Sequence, residues 1–432
     1  MREAVYIPNN RALDDVLATL PHDLRRYGDC VRFLLHTIAV KRWLGDAVDG
    51  WARLHSAVLR RNIPGRAIAP LRAFLVGRGV VETSPYRAGW YSTGYRIVEG
   101  YDGPPRRMLL TDRRLIAKRR VWRESFVTKP DSDLQPIIER RRAVLEAMRG
   151  ALDGLTLDKS AAELVRELTA GGVNHNHAAY VCGVIEHRDH DGLLVDLFGY
   201  RVHSIVTRVA SGLRPHLRLE GRALVELDVA SSQPLILAAL FLCPEKCASY
   251  GGSAHHIGRV LPVRVRRDAL AFGKLCEKGT LYEFLQKKGN FRDREQVKRL
   301  LFRDVLFCRP YVRGRMTELF EQTWPGVFAA VQELKRTEGY KAVSRRLQRL
   351  ESSIIIDGVC RRLVDEAPGL PFLTVHDSVL TWPDEAETVE RLIVEAFEQY
   401  GVRPMIRRKG GETIRPTKNN TGILDCVPST SV

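Results

Sequence analysis

PFLTVHDSVLTW, residues 371–382, is the stretch from which the chain is best read. Apolar, β-branched and aromatic residues run on both sides of His376-Asp377. The pattern predicts two short strands joined by a tight hairpin, with that pair at or beside the turn. An Asp in a turn is commonplace. This one lies between buried strands, where a carboxylate is costly unless a cation or hydrogen bonds compensate it.

A second stretch repeats the theme. In ALVELDVASSQPLILAALFL (223–242), Ala223 to Val229 reads as a strand with Asp228 near its end. Pro234 then opens an apolar helix that Ser231 or Ser232 is placed to cap. By itself Asp228 reads equally well as an edge-strand Asp serving that helix. Two lone acids on adjacent apolar strands are another matter. They are what two-metal phosphoryl transfer needs, with ions about 3.5–4 Å apart that activate the attacking hydroxyl and steady the leaving oxygen. Oxygen ligands shared with phosphates imply two Mg2+ or Mn2+ ions rather than zinc. Asp228 and Asp377 are therefore the candidate metal-binding and catalytic residues.

Between them lies DREQVKRLLFRDVLF (293–307). Asp293 with Gln296 three residues on forms a capping-box arrangement at a helix start. Arg294, Lys298 and Phe302 recur every four residues and so share one face. Two cations and an aromatic ring on one stripe suit a triphosphate and a stacked base.

These three motifs, in this order, resemble those of family A DNA polymerases, the polymerase-I-like group. Asp228-Val-Ala-Ser-Ser-Gln233 is similar to the first palm motif of that family, and Arg294, Lys298 and Phe302 to its fingers helix. Val375-His376-Asp377 matches its Val-His-Asp motif. Phe198-Gly199-Tyr200-Arg201 resembles the segment whose Arg holds the primer–template minor groove. The helix 340–363, with Gln348, is similar to the Gln-bearing helix before the His-Asp turn. The likeness covers about residues 195–400, roughly half the chain.

What the resemblance implies is an α/β (α+β) right-hand polymerase with an antiparallel palm sheet and helical fingers and thumb. Asp228 and Asp377 would ligate the metals. Lys298, also catalytic, and Arg294 would hold the β- and γ-phosphates. Phe302, Ser232 and Gln233 would complete the nucleotide site. Arg201, Gln348 and His376 would meet primer and template. Gln233 stands where DNA-making members carry a Glu that blocks a ribose 2′-hydroxyl, which favours DNA synthesis. Three departures stand out. Leu306-Phe307-Cys308 replaces Tyr-Gly at the end of the fingers helix, Ser378 replaces the acid after His-Asp as in single-subunit RNA polymerases, and no proofreading carboxylate set is present. Chains of this size resemble the small family-A-like polymerases of phages and mobile elements. An RNA polymerase or primase using NTPs, untemplated or protein-primed synthesis, and a non-catalytic replication initiator with a degenerate palm are the competing readings.

Composition points the same way. The chain has 68 Lys plus Arg against 51 Asp plus Glu, a net charge of +17 over 432 residues. Such a surplus favours polyanions, nucleic acid above all. No apolar run approaches membrane-spanning length, and the N-terminus has no secretion signal. The eight scattered cysteines then read as reduced thiols of a cytoplasmic protein. Cys243 and Cys247 with His255 and His256 have ligand types for zinc but lack a second tight pair.

Residues 1–125 read as a separate basic module. Helices at 51–61 and 70–79 precede two strands, 80–83 and 90–97, in the order of a winged helix. Arg72, Arg78, Arg87 and Arg96 would lie on its nucleic-acid face. The expected divisions that follow are a helical linker or thumb (126–195), palm (196–240), fingers (241–335), palm again (336–404) and a loosely held tail (405–432).

Overall fold

The computed structural model describes residues 3–87, 92–124, 133–168, 173–247 and 262–410. Helices dominate, and the strands among the described residues form small antiparallel sheets. The largest of these sheets has four strands. In spatial order they are Leu373–Val375, Ser378–Thr381, Val225–Val229 and Ile406–Gly410.

The 371–382 stretch forms the expected hairpin. Val375 pairs with Ser378 across the two-residue turn His376-Asp377. His376 takes φ of 56°, the left-handed region that a short hairpin turn demands and that His tolerates better than most residues. Val225–Val229 lies in the middle of the sheet, and Asp228 pairs with Ser378 on one side and Arg407 on the other. The fourth strand corrects an expectation. Residues from 405 onward were read as a loose tail because IRRKG shows no alternation of apolar and polar residues, yet Ile406–Gly410 pairs in full register with Val225–Val229. It is an edge strand, where charged side chains are tolerated and protect against stray pairing.

The helix Ser232–Leu242 follows the central strand and is buried all round, as its uniformly apolar sequence requires. Its start differs from expectation. Ser231 occupies the N-cap in a left-handed conformation, φ 54°, and its side chain makes no cap hydrogen bond. The helix packs against Val263–Glu277 and Ala342–Ser352. Gly273 makes the first contact close, since a Cβ there would lie 3.2 Å from Ala238 Cβ. After Ala342–Ser352 the helix widens into a π-helical stretch, Ser353–Cys360, and resumes as Arg361–Glu366.

Arg141, on the helix Gln135–Asp153, is almost completely buried. It donates to both Asp357 carboxylate oxygens at 2.8 and 2.7 Å, to Tyr200 O at 2.5 Å and to Ser352 Oγ at 3.1 Å. A buried guanidinium is tolerable only when so thoroughly paired, and this one fastens the 135–153 helix to the sheet-bearing half.

In the N-terminal part, Ala4–Pro8 pairs with Pro105–Leu109, and the long helix Gly28–Trp43 packs on Ala4–Pro8 and on Val173–Glu186. The expected helix at 51–61 is instead a short strand, Ala52–Arg53, followed by a helix, Ser56–Asn62. The next helix runs Gly65–Gly77 and carries Pro70 inside it rather than at its start. Val81–Ser84 and Gly94–Ile97 pair as expected, with Ala52–Arg53 added on the far side of Gly94–Ile97. Residues 88–91 of the intervening turn lie outside the described residues, as do His255 and His256.

Candidate active site

The hairpin and the central strand bring Asp228 and Asp377 together. Asp377 immediately precedes Ser378, the residue paired with Asp228. Ser378 Oγ lies 3.0 Å from Asp228 Oδ1 and 3.1 Å from Glu226 Oε1. The carboxyl of Asp377 is pushed well above the usual carboxylate range, first by burial and then by the negative charges of Glu351 and Asp228. Acids this close favour a shared proton or a cation over full ionisation.

Glu226 is a carboxylate that the sequence reading overlooked. It stands two residues before Asp228, so strand alternation puts both on one face. It is buried, and Arg214 Nη1 donates to its two oxygens at 3.0 and 3.2 Å. Lys409, on the edge strand, places Nζ 2.8 Å from Asp228 Oδ2 and 3.6 Å from Glu226 Oε1.

Glu351, three residues after Gln348, is a further buried carboxylate to which the sequence pattern assigned no role. It is 1% exposed and receives Arg201 Nε at 2.8 Å and Nη2 at 2.5 Å. Its other oxygen accepts from Gln233 Nε2. Two of the predicted nucleic-acid and nucleotide contacts, Arg201 and Gln233, are thus clamped to one carboxylate. Gln233 Oε1 and Ser232 Oγ are buried without a hydrogen-bond partner.

Arg201 is set in place by Asp196, whose carboxylate accepts from Gly199 N at 2.6 Å, Arg201 N at 3.1 Å and His203 Nε2 at 2.9 Å. Gln348 presses on Gly199, where a Cβ would meet the Gln348 side chain at 2.7 and 2.9 Å. His376 stacks edge-on against His203, with ring centroids 5.7 Å apart. Burial, helped by Arg201, His203 and Arg214, pushes the His376 imidazole down to about 3, so it is neutral at physiological pH.

The third predicted group divides. Asp293 caps its helix through Gln296 N at 2.7 Å, as the capping-box pattern implies. Arg294 stacks over Tyr282 at 4.8 Å and pairs with Glu283 at 3.0 Å. Lys298 is exposed and pairs with no described residue. Phe302 falls in a π-helical stretch, Leu301–Leu306, and packs on Phe307 at 5.2 Å.

Arg96 is exposed on the strand Gly94–Ile97 but is not a free charge. It is held by Glu82 at 2.5 and 3.0 Å and lies over the Trp51 ring at 4.5 Å.

Among the described residues, no group of three or more His, Cys, Asp or Glu side chains is arranged to hold a metal ion alone. No described helix is long and apolar enough to cross a membrane. The acidic pair nonetheless fits a cation in its chemistry. The donors are hard oxygens, the carboxylates repel each other, and an ammonium already rests on Asp228.

No family model and no curated protein matches the chain. Among solved structures, the POL domain of Pol1 from M. smegmatis, in complex with DNA primer-template and dNTP, is similar at 12% identity and a TM-score of 0.28. The match covers 67% of this chain, and the chain spans 65% of that one. A score that low does not establish a common fold. What fold and site define together is a mainly helical α/β protein whose largest described sheet carries a hairpin acid beside a strand acid.

Proposed function

We propose that the chain is a template-directed nucleotidyltransferase that extends a 3′-hydroxyl with dNTPs by two-metal phosphoryl transfer. The observation that carries this reading is the meeting of Asp377, in the hairpin turn, with Asp228 on the neighbouring strand, the Asp377 carboxyl being driven towards its protonated form by burial and then by the charges of Glu351 and Asp228. Two acids so placed, in a protein of net charge +17, suit a polyanionic substrate that brings its own phosphate oxygens to the ions.

Asp228 and Asp377 would hold a pair of Mg2+ or Mn2+ ions, which when bound neutralise phosphate charge and activate the attacking hydroxyl. Ser378, in the place of a further acid, donates to Asp228 and fixes its orientation. Lys298 is free to reach a triphosphate, and Arg294, propped on Tyr282, stands one turn before it. Phe302 would pack on the incoming sugar and base. Gln233, tied to Glu351, would stand beneath the sugar with Ser232 next to it. Its bulk disfavours a 2′-hydroxyl and favours dNTPs. Arg201 and Gln348 would meet the primer end with neutral His376.

In this reading the four-stranded sheet is a palm, the helices from Val263 to Glu338 are fingers, and the helices from Gln135 to Glu186 form a small thumb. From Gly28 to Ile97 the order is helix, strand, helix, helix, strand, strand, with the first of these strands paired to the last. It supports a winged-helix module that grips nucleic acid.

Primer extension with dNTPs and NTPs in parallel, with and without primer and with Mg2+ or EDTA, tests the proposal. Primer- and ion-dependent incorporation of dNTPs is expected, and Asp377→Ala should abolish it while circular dichroism shows a folded protein. Unprimed incorporation of NTPs alone would make the protein an initiating RNA polymerase. Salt-dependent DNA binding without any product would make it a binding protein.

A further inference from the structure

Lys409 stands out among the charges around the acidic pair because it is the one that can leave. Glu226 is held by Arg214 through two contacts, so its charge is balanced without Lys409. Asp228 differs. Ser378 serves Oδ1, while Oδ2 faces Lys409 Nζ at 2.8 Å. The Lys409 side chain is 50% exposed, whereas that of Asp228 is 21% exposed. An ammonium on a flexible four-carbon stem, half in solvent, gains little from such a pair and can swing out at small cost. Arg408, its neighbour along the strand, is engaged with Glu390 instead.

We propose that Lys409 is the counter-cation of Asp228, and that its ammonium competes with a divalent ion for Asp228 Oδ2. The edge strand Ile406–Gly410 thereby sets how tightly the site takes its metal. The inference rests on the reading that Asp228 and Asp377 hold divalent ions. It adds a positioning residue from a segment outside the motifs that suggested that reading. Removing the ammonium leaves Asp228 Oδ2 without a cation and should favour any ion that supplies one.

The test is binding of Mn2+ or Mg2+ alone to the full chain. It is followed by isothermal titration calorimetry and by the ion-induced rise in melting temperature, each variant being referred to its own ion-free value. Lys409→Met and Lys409→Gln should both bind the ion about fivefold more tightly, the scale of one half-exposed ion pair. Arg408→Met should leave affinity unchanged, and Asp228→Asn should remove binding. Agreement between the Met and Gln variants assigns the effect to lost charge rather than to side-chain shape. If wild type binds the ion through Asp228 but neither Lys409 variant binds it more tightly, the role of Lys409 is refuted while the proposed function stands. If wild type takes up no ion, or takes it up equally well as Asp228→Asn, the competition at Asp228 is refuted, and primer extension alone decides the proposed function.

Discussion

Arg201 clasps Glu351 through two guanidinium nitrogens, at 2.8 and 2.5 Å, across 150 positions of sequence. Glu351 is 1% exposed, and Gln233 takes its remaining oxygen. Removing the carboxylate deprives a guanidinium and an amide of their shared, buried acceptor. Glu351→Ala should therefore cost about 3 kcal/mol of folding stability, the scale of breaking a buried pair by deleting one partner. Glu351→Gln, which keeps shape and some hydrogen bonding, should cost less. Urea denaturation of the two variants beside wild type measures both.

The raised proton affinity of Asp377 fixes a sign for the pH dependence of the ion-free protein. Burial, then Glu351 and Asp228, lift its folded-state pKa above the unfolded value of 3.8 to about 7. Between those values the folded state holds a proton that the unfolded chain has released. Stability from this group is thus fully present below the ordinary carboxylate range and is lost as pH rises towards 7. Asp377→Asn should flatten that part of the profile. A bound divalent ion competes with the same proton, so the extra stability conferred by Mg2+ should grow over the same interval. Denaturation midpoints at a series of pH values, with and without Mg2+, would test both slopes.

The hairpin could be read from the sequence because its information is local. Two apolar runs flank a two-residue turn, and strand alternation then fixes which residues face each other. Asp228 was legible for the same reason. Glu226 could have been found by the same alternation, two residues earlier on the same face. Its burial, however, depends on Arg214, and nothing in VELDV announces that partner. Glu351 sits among Arg345, Arg346 and Arg349, a pattern that locally resembles a solvated helix face. Only the tertiary packing of Ala342–Ser352 buries it. The strand Ile406–Gly410 was hidden because edge pairing is a main-chain interaction that needs no apolar pattern. Ser231 or Ser232 was expected to cap the next helix through its side chain, but Ser231 takes the N-cap in a left-handed conformation and makes no side-chain cap hydrogen bond.

Gly199 offers a test of how tightly the Arg201 turn is built. A Cβ at this position would come within 2.9 Å of Gln348 Cβ and 2.7 Å of its Oε1. The amide end can rotate, but the Cβ is fixed to a buried helix and cannot. Gly199→Ala should destabilise the fold by about 1–3 kcal/mol, as overpacking does. It should also push Gln348 and the 198–201 turn apart. Gly199→Ala combined with Gln348→Gly should recover more of the loss than combined with Gln348→Ala, because only glycine removes the obstructing Cβ. A double-mutant cycle in urea measures that coupling.

The N-terminal basic residues separate into free and engaged groups, and salt dependence should distinguish them. Arg72 is exposed and lines a cleft of about 490 Å³ with Thr83, Ser84, Tyr86 and Thr93, between the helix Gly65–Gly77 and the neighbouring strands. A guanidinium beside hydroxyl groups is suited to a phosphate backbone. Arg96 is bound to Glu82 and covers Trp51, so its charge is already neutralised. Arg72→Ala should therefore reduce the slope of log affinity against log salt for a DNA duplex by about one. Arg96→Ala should leave that slope unchanged and act only through a small loss of stability. Fluorescence anisotropy between low and moderate salt reads the slopes directly. Equal slopes for wild type and Arg72→Ala would remove this cleft from the nucleic-acid surface.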